Sequence, residues 1–300
     1  MNDWISQVLA WGQSAIDGDP LVFDSLGARS ALFVAVREAL EAKEAPEGKE
    51  LRVFTREVTT SLTLVPLSGG LDSLVAFERA RRLGETRAFY VALNTPYRDI
   101  EMRALHRIEP TTQLLNFSDW PERWVPYKTA WKHILPLRNL LIILAVARAA
   151  GDRPGMIWLG ATAGEIPFKG GDKSLRFFDA VDTLLNTFPV KHMLEFPLRH
   201  ETKSDLVAWW LREGLSVDRL LATVTCQAGT EIPCGACHAC FNRWVAMTNN
   251  DLSEPLLTDP HTVEDNVRKV RLFSEALDAK DFEVWSESRI RQTLEAWGRS

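Results

Sequence analysis

The feature that most constrains the fold is a short unit between Ser61 and Asn94. Ser61–Leu67 (SLTLVPL) is an apolar run of strand length, and Ser68-Gly69-Gly70 follows it directly. The next segment, LDSLVAFERARRLG, places Leu74, Phe77 and Leu83 at helical spacing and ends on Gly84. Arg87–Asn94 (RAFYVALN) then reads as a second buried strand. Strand, glycine turn, helix and strand in that order open a parallel α/β sheet. Gln113–Phe117 and Met156–Gly160 supply further strand candidates, and Leu137–Ala150 and Ser204–Glu213 further helices. Helical stretches at about 262–278 and 285–298 close the chain.

Three regions are expected. Residues 1–60 read as a mostly helical extension, with amphipathic spacing around Leu9 and Ile16 and again over Ser30–Lys43. Residues 61–250 form the α/β domain, and residues 251–300 contribute C-terminal helices. The 300 residues are 46% hydrophobic and 25% charged, which suits a globular protein and excludes extensive disorder. The longest apolar stretch, Leu140–Ala147, lies between Arg138 and Arg148 and is far below the roughly 20 residues a bilayer span needs. No membrane association is expected. The first residues carry Asp3 and lack a basic segment, so they do not read as a secretory signal. A net charge of −5 gives the chain no global attraction to nucleic acid, and no direct nucleic-acid binding is expected.

The string Ser68-Gly69-Gly70-Leu71-Asp72-Ser73 sits where a strand turns into a helix. Glycines allow a tight turn with amide groups close to an anion, and the following helix points its positive end at the same place. Ser68 and Ser73 add hydroxyls. Asp72 would repel a phosphate, which suggests a bound Mg²⁺ or a role in shaping the loop. The plainer reading is a strand-to-helix turn with a serine cap. Neither G-x-x-x-x-G-K-[ST] nor G-x-G-x-x-G occurs, so Walker and dinucleotide loops are excluded.

All four cysteines fall in one window: Cys226, Cys234, Cys237 and Cys240. Two C-x-x-C steps share Cys237, and Gly235 helps the turn close. Four thiolates suit a closed, tetrahedral, structural Zn²⁺ site. Buried free thiols or an iron–sulfur cluster are the alternatives. Clustered cysteines also point to a reducing, cytoplasmic setting. His238 lies in the window but is not needed as a ligand.

The SGGLDS string resembles the pyrophosphate loop of the PP-loop ATP pyrophosphatase superfamily. Together with the cysteine pattern it resembles the 7-cyano-7-deazaguanine synthase family, QueC. Leu135-Pro136-Leu137-Arg138-Asn139 is similar to that family's V-P-G-R-N segment, and Pro197-Leu198 with Lys203 to its P-L-x(4)-K segment. The resemblance covers roughly residues 60 to 250. It implies an adenine nucleotide alpha hydrolase-like, Rossmann-like fold, a homodimer, and ATP as co-substrate. It further implies adenylation of 7-carboxy-7-deazaguanine with release of pyrophosphate, attack by ammonia, and dehydration of the amide to the nitrile preQ0 with a second ATP. This is a carbon–nitrogen ligase reaction in queuosine biosynthesis.

Catalytic roles are expected for Asp72, Arg138 and Lys203. Arg138 and Lys203 are cations at helix starts, where the helix dipole disfavours them; a structural salt bridge is the competing reading. Asn139 beside Arg138, and the loop carrying Lys169, Asp172 and Lys173, are candidates for the substrate. The lysines could clamp an anion and Asp172 could accept from a guanine-like N–H pair; a solvated loop is the alternative.

The chain departs from the family's pattern in two places. Asn94-Thr95-Pro96-Tyr97-Arg98-Asp99 stands where the family carries a Y-G-Q-R-H-like string, and Phe168–Ser174 stands where it carries S-G-Y-P-D-C-R. With about 60 residues added before the loop, these changes raise a second expectation. The activated deazaguanine would then be conjugated to an amine of a protein acceptor, in a defence setting. Sulfur transfer to tRNA and a non-catalytic scaffold are weaker readings. Every cysteine sits in the cluster, which argues against the first, and the loop is intact, which argues against the second.

Overall fold

A computed structural model describes residues 62–95, 97–117, 138–163, 174–187, 192–282 and 285–299. The expected helices before residue 61 lie outside the described residues. Within them, β1 (Leu62–Pro66), α1 (Leu71–Leu83), β2 (Glu85–Ala92), α2 (Arg98–Ile108) and β3 (Gln113–Asn116) come first. They are followed by α3 (Arg138–Ala149), β4 (Gly155–Trp158), α4 (Leu175–Leu185) and β5 (His192–Glu195). After these come α5 (Lys203–Arg212), α6 (Val217–Leu221), α7 (His238–Thr248), α8 (Glu264–Ala279) and α9 (Glu287–Gly298).

The strands form one five-stranded sheet in the order β3-β2-β1-β4-β5. Every pairing is parallel, with Leu62 opposite Glu85, Thr63 opposite Met156 and Gly155 opposite His192. This is the α/β PP-loop architecture expected from the sequence. Successive strand residues serve opposite faces, as a pleated strand requires. Val65, Ala88, Tyr90 and Trp158 pack with α1, α5 and α7, including Leu74, Trp210 and Met247. Leu64, Phe89, Val91 and Ile157 pack with α3 and α4, including Ile143, Val146 and Phe178. Each large aliphatic or aromatic side chain so buried contributes about 1.5–3 kcal/mol.

Leu83 is an exception to the expected apolar stripe of α1: it is exposed at the last turn, while Leu74 and Phe77 are buried. Of the adjacent tryptophans, Trp210 is fully buried and donates through Nε1 to the Ser216 carbonyl, 2.9 Å away. Trp209 lies beneath the guanidinium groups of Arg79 and Arg82. Five elements were not foreseen: the helices α2, α4, α6 and α7 and the strand β5. Ile100, Ala104, Leu105 and Ile108 give α2 its buried face.

The strand order reverses at β1. The connection from β1 leads to β2 on one side, whereas β4 pairs on the other. In open α/β sheets the crevice at such a point, outside the C-terminal strand ends, is the place for a ligand. The SGGLDS loop leaves β1 there.

Candidate functional site

Gly69 adopts φ +78°, a conformation that favours glycine, and carries the chain from Ser68 into α1. Gly70 is the N-cap of α1 and no side chain caps it, so the positive end of a 13-residue helix is left to other acceptors. Ser68 is exposed at the loop. Ser73 is buried and shapes the loop instead. Its hydroxyl donates to the Gly70 carbonyl at 3.0 Å and accepts from the Ser68 amide at 3.2 Å. Leu71 is buried in the core beneath the loop.

Two further segments hold this loop. A Cβ on Gly160, just past β4, would come within 2.9 Å of the Asp72 carbonyl carbon and the Ser73 nitrogen. Only glycine lets β4's exit lie so close to the loop. On the other side the Val224 amide donates to the Gly69 carbonyl at 2.9 Å.

Asp72 and Lys203, chosen from sequence on separate grounds, are in contact. Lys203 Nζ donates to Asp72 Oδ2, joining the first turns of α1 and α5. Both side chains are largely buried, at 17% and 16% exposure for Lys203 and Asp72. The turn that presents Lys203 is strongly specified. Thr202 and Asp205 form a reciprocal capping box, and Gln292 of α9 bonds to both. Lys203 is thus a cation at a helix start held by an acidic partner.

Arg138 is the first residue of α3. Its Nη1 donates to the Tyr97 hydroxyl at 3.0 Å. Asn139 follows it, half-buried. Lys169, Asp172 and Lys173 lie outside the described residues. The sequence reading missed Glu101, whose carboxylate accepts from Tyr90 Oη at 2.8 Å. Burial raises its pKa to about 7, against the opposing effects of the Tyr90 hydrogen bond and the Arg138 charge. The stripe of Ile100, Ala104, Leu105 and Ile108 is a sequence signal for α2, but nothing in it marks Glu101.

The four cysteines converge. Their sulfurs all lie within 4.8 Å of one another, and Cys234 and Cys240 are 3.8 Å apart. Tetrahedral Zn²⁺ with Zn–S bonds of about 2.3 Å calls for sulfurs about 3.8 Å apart. The Cys237 amide donates to Cys234 Sγ at 3.3 Å and the Cys240 amide to Cys237 Sγ at 3.4 Å. Hydrogen bonds from Cys240 lower the Cys237 pKa to about 4, and the Cys240 thiol is pushed up in return. The donor set fits Zn²⁺ and leaves no open position. His238 is exposed and bonds to Asn242 and Lys269.

A family model described as Queuosine biosynthesis protein QueC matches residues 85–251. The chain belongs to the QueC family. A 7-cyano-7-deazaguanine synthase of Marinobacter nauticus is 26% identical over 219 residues, spanning 66% of this chain and 97% of that protein. One from Pseudoalteromonas translucida is 26% identical over 218 residues, spanning 66% and 98%. One from Methanoregula boonei is 25% identical over 170 residues, spanning 56% and 76%. The QueC match includes Arg138, Lys203 and the cysteine cluster, while residues 1–84, with β1, the SGGLDS loop and α1, and residues 252–300, with α8 and α9, lie beyond it. No helix among the described residues is long and apolar enough to cross a membrane.

Proposed function

We propose that this QueC-family chain is an ATP-dependent enzyme that adenylates a 7-deazaguanine carboxylate and carries it through the amide to the nitrile. The observation that carries this reading is the pairing of Asp72 with Lys203 beside the uncapped start of α1, at the point where the strand order reverses. Helix amides and cations are what a triphosphate needs as a carboxylate approaches its α-phosphorus.

In the first step a substrate carboxylate oxygen bonds to the α-phosphorus of ATP and the bond to the β-phosphate oxygen breaks, releasing pyrophosphate. Ammonia then adds to the acyl carbon and loses a proton, and AMP departs. In the second round the amide oxygen takes an adenylyl group from another ATP. Loss of both N–H protons and of AMP leaves the C≡N bond. The loop amides cradle phosphate, Lys203 and Arg138 offset its charge, and Asp72 fixes Lys203. Mg²⁺ would supply charge neutralisation on the phosphates, and Asp72 is the carboxylate within the loop that would face it. Zn²⁺ at Cys226, Cys234, Cys237 and Cys240 would be structural. Asn139, Lys169, Asp172 and Lys173 remain the candidates for the substrate. The protein-amine acceptor rests chiefly on the segment before residue 61, which lies outside the described residues.

The test is incubation with ATP, Mg²⁺, 7-carboxy-7-deazaguanine and ammonium chloride. AMP, pyrophosphate and a product with the mass of the nitrile are expected. Release of ADP and phosphate would contradict the adenylation chemistry. A covalent mass increase on a co-expressed protein, without nitrile, would move the acceptor from ammonia to a protein amine.

A further inference from the structure

The C-terminal helix α9 closes a cavity beside the Asp72–Lys203 pair. Thr162, just past β4, Lys203 and Ser204 at the start of α5, Asn242 of α7 and Arg289 of α9 are in its walls. Side chains hold α9 in place. Gln292 accepts from Thr202 Oγ1 and donates to Asp205 Oδ1 at 2.9 Å, and Asn249 Nδ2 donates to the Gln292 carbonyl at 2.8 Å. Thr162 stands two residues after Gly160, the glycine that lies against Asp72. The Ala163 amide then ties this segment to the Glu201 carbonyl at 2.9 Å.

The lining selects the ligand. Two cations, Lys203 and Arg289, border the cavity, and no carboxylate does so among the described residues that line it. Apart from Val245 those residues are polar, so neither a metal ion nor an apolar group suits the space. Thr162 is 2% exposed, and its hydroxyl has no hydrogen-bond partner among the described residues. A hydroxyl so buried ordinarily has one. Ser204 Oγ accepts from Asn249 Nδ2 at 3.2 Å, which leaves its own proton to be donated. Arg289 Nη2 and Lys269 Nζ both donate to Asn242 Oδ1, each at 3.3 Å. Two cations thus meet on one neutral oxygen at the edge of the cavity, and a bound anion would offset their repulsion. A volume of about 40 Å³ is room for a few waters or one small oxyanion, and too little for a nucleoside.

We propose that this cavity is a subsite for a single phosphate-type oxyanion, held by Arg289, Thr162 and Ser204 beside Lys203. The donors approach from the exit of β4, from α5 and from α9, a spread of directions that suits a tetrahedral group. Arg289 belongs to a helix beyond the QueC match, so the subsite goes beyond the ATP reading above. Its occupant is either a terminal phosphate of the nucleotide and its pyrophosphate or free inorganic phosphate.

The experiment is calorimetric titration of the whole chain with inorganic phosphate and with pyrophosphate, beside AMP, which lacks the terminal phosphates. Wild type should bind phosphate. Arg289→Gln should raise its dissociation constant by about tenfold or more, the scale of one lost charge-assisted hydrogen bond. Thr162→Val, which keeps shape and charge, should raise it several-fold and tests the subsite independently if Arg289→Gln folds poorly. AMP should bind wild type and both variants alike. Pyrophosphate that competes with phosphate assigns the subsite to the nucleotide's terminal phosphates; pyrophosphate that binds alongside it assigns the subsite to free phosphate. Wild type that takes up neither anion overturns the subsite. So does phosphate binding unchanged in both variants, which places the anion on the SGGLDS loop alone, or an equal loss of AMP affinity, which makes Arg289 a support of the fold. Those results leave the ATP reading standing wherever ATP is still cleaved to AMP and pyrophosphate. Wild type that binds phosphate in an Arg289-dependent way yet cleaves no ATP overturns that reading and keeps the subsite.

Discussion

The Val224 amide donates to the Gly69 carbonyl at 2.9 Å, and Val224 stands two residues before Cys226. The cysteine loop and the SGGLDS loop are therefore one stitched structure. The stitch is reinforced from α7, the helix that carries Cys240. Its buried Arg243 pairs with Glu254 and donates to Thr223 Oγ1 at 2.5 Å and to the Leu221 carbonyl at 3.3 Å.

Removing the metal should consequently be felt at the nucleotide. Elemental analysis of protein purified without added metal should give one zinc per chain. Chelation, or Cys234→Ser, should lower the melting temperature and raise the KM for ATP several-fold in the protein that stays soluble, because the Val224 contact loosens. Metal-free protein with unaltered KM would show that the two loops are energetically independent.

The Asp72–Lys203 pair predicts a large kinetic effect. Lys203→Ala should lower kcat/KM for pyrophosphate release by about 10²-fold, equivalent to about 2.7 kcal/mol of transition-state stabilisation. Asp72→Asn should be comparably damaging. The two losses should be less than additive in the double variant, since each residue positions the other. Full additivity in steady-state assays would mean that the contact has no catalytic consequence.

Gly160 supplies a purely steric test. An added methyl would sit 2.9 Å from backbone atoms of Asp72 and Ser73, which cannot swing away as a side chain can. Gly160→Ala should cost about 1–3 kcal/mol of stability, the usual penalty for overpacking. It should also reduce turnover at saturating ATP by more than tenfold by displacing the loop. Denaturant titration and initial rates together check this; retained turnover would show that the loop tolerates displacement.

Much of this site could be read in the sequence because its parts are local. SGGLDS, the C-x-x-C steps and the cations opening α3 and α5 each express a turn geometry within a few residues. The inner strands β1, β2 and β4 carry apolar runs because they are covered on both faces. What could not be read depends on distant segments meeting. Gly160 is an ordinary strand-end glycine until Asp72 is placed against it. Val224 matters only through Gly69, and Gln292 only through Thr202 and Asp205. The burial of Glu101 follows from Tyr90 and α2 packing on the loop, and no spacing in the chain announces it. His192–Glu195, a four-residue strand of mixed polarity, is too short to show a period.

Glu101 also makes global stability depend on pH in a defined direction. Its folded-state pKa is raised from 4.5 to about 7, mainly by burial, with the Tyr90 hydrogen bond and Arg138 opposing. Between these values the unfolded chain has lost the proton that the folded chain keeps, so stability falls as pH rises. The contribution is complete below about pH 4.5, declines through neutrality and is gone above the folded pKa. The whole span corresponds to about 3 kcal/mol. Other groups titrate as well, so the measurement is the difference between wild type and Glu101→Gln in urea unfolding at matched pH. Wild type should lose up to about 3 kcal/mol relative to the variant between pH 4.5 and 8. A constant difference across that range would mean that the carboxylate is already ionised in the folded protein near pH 5, with Arg138 outweighing the cost of burial.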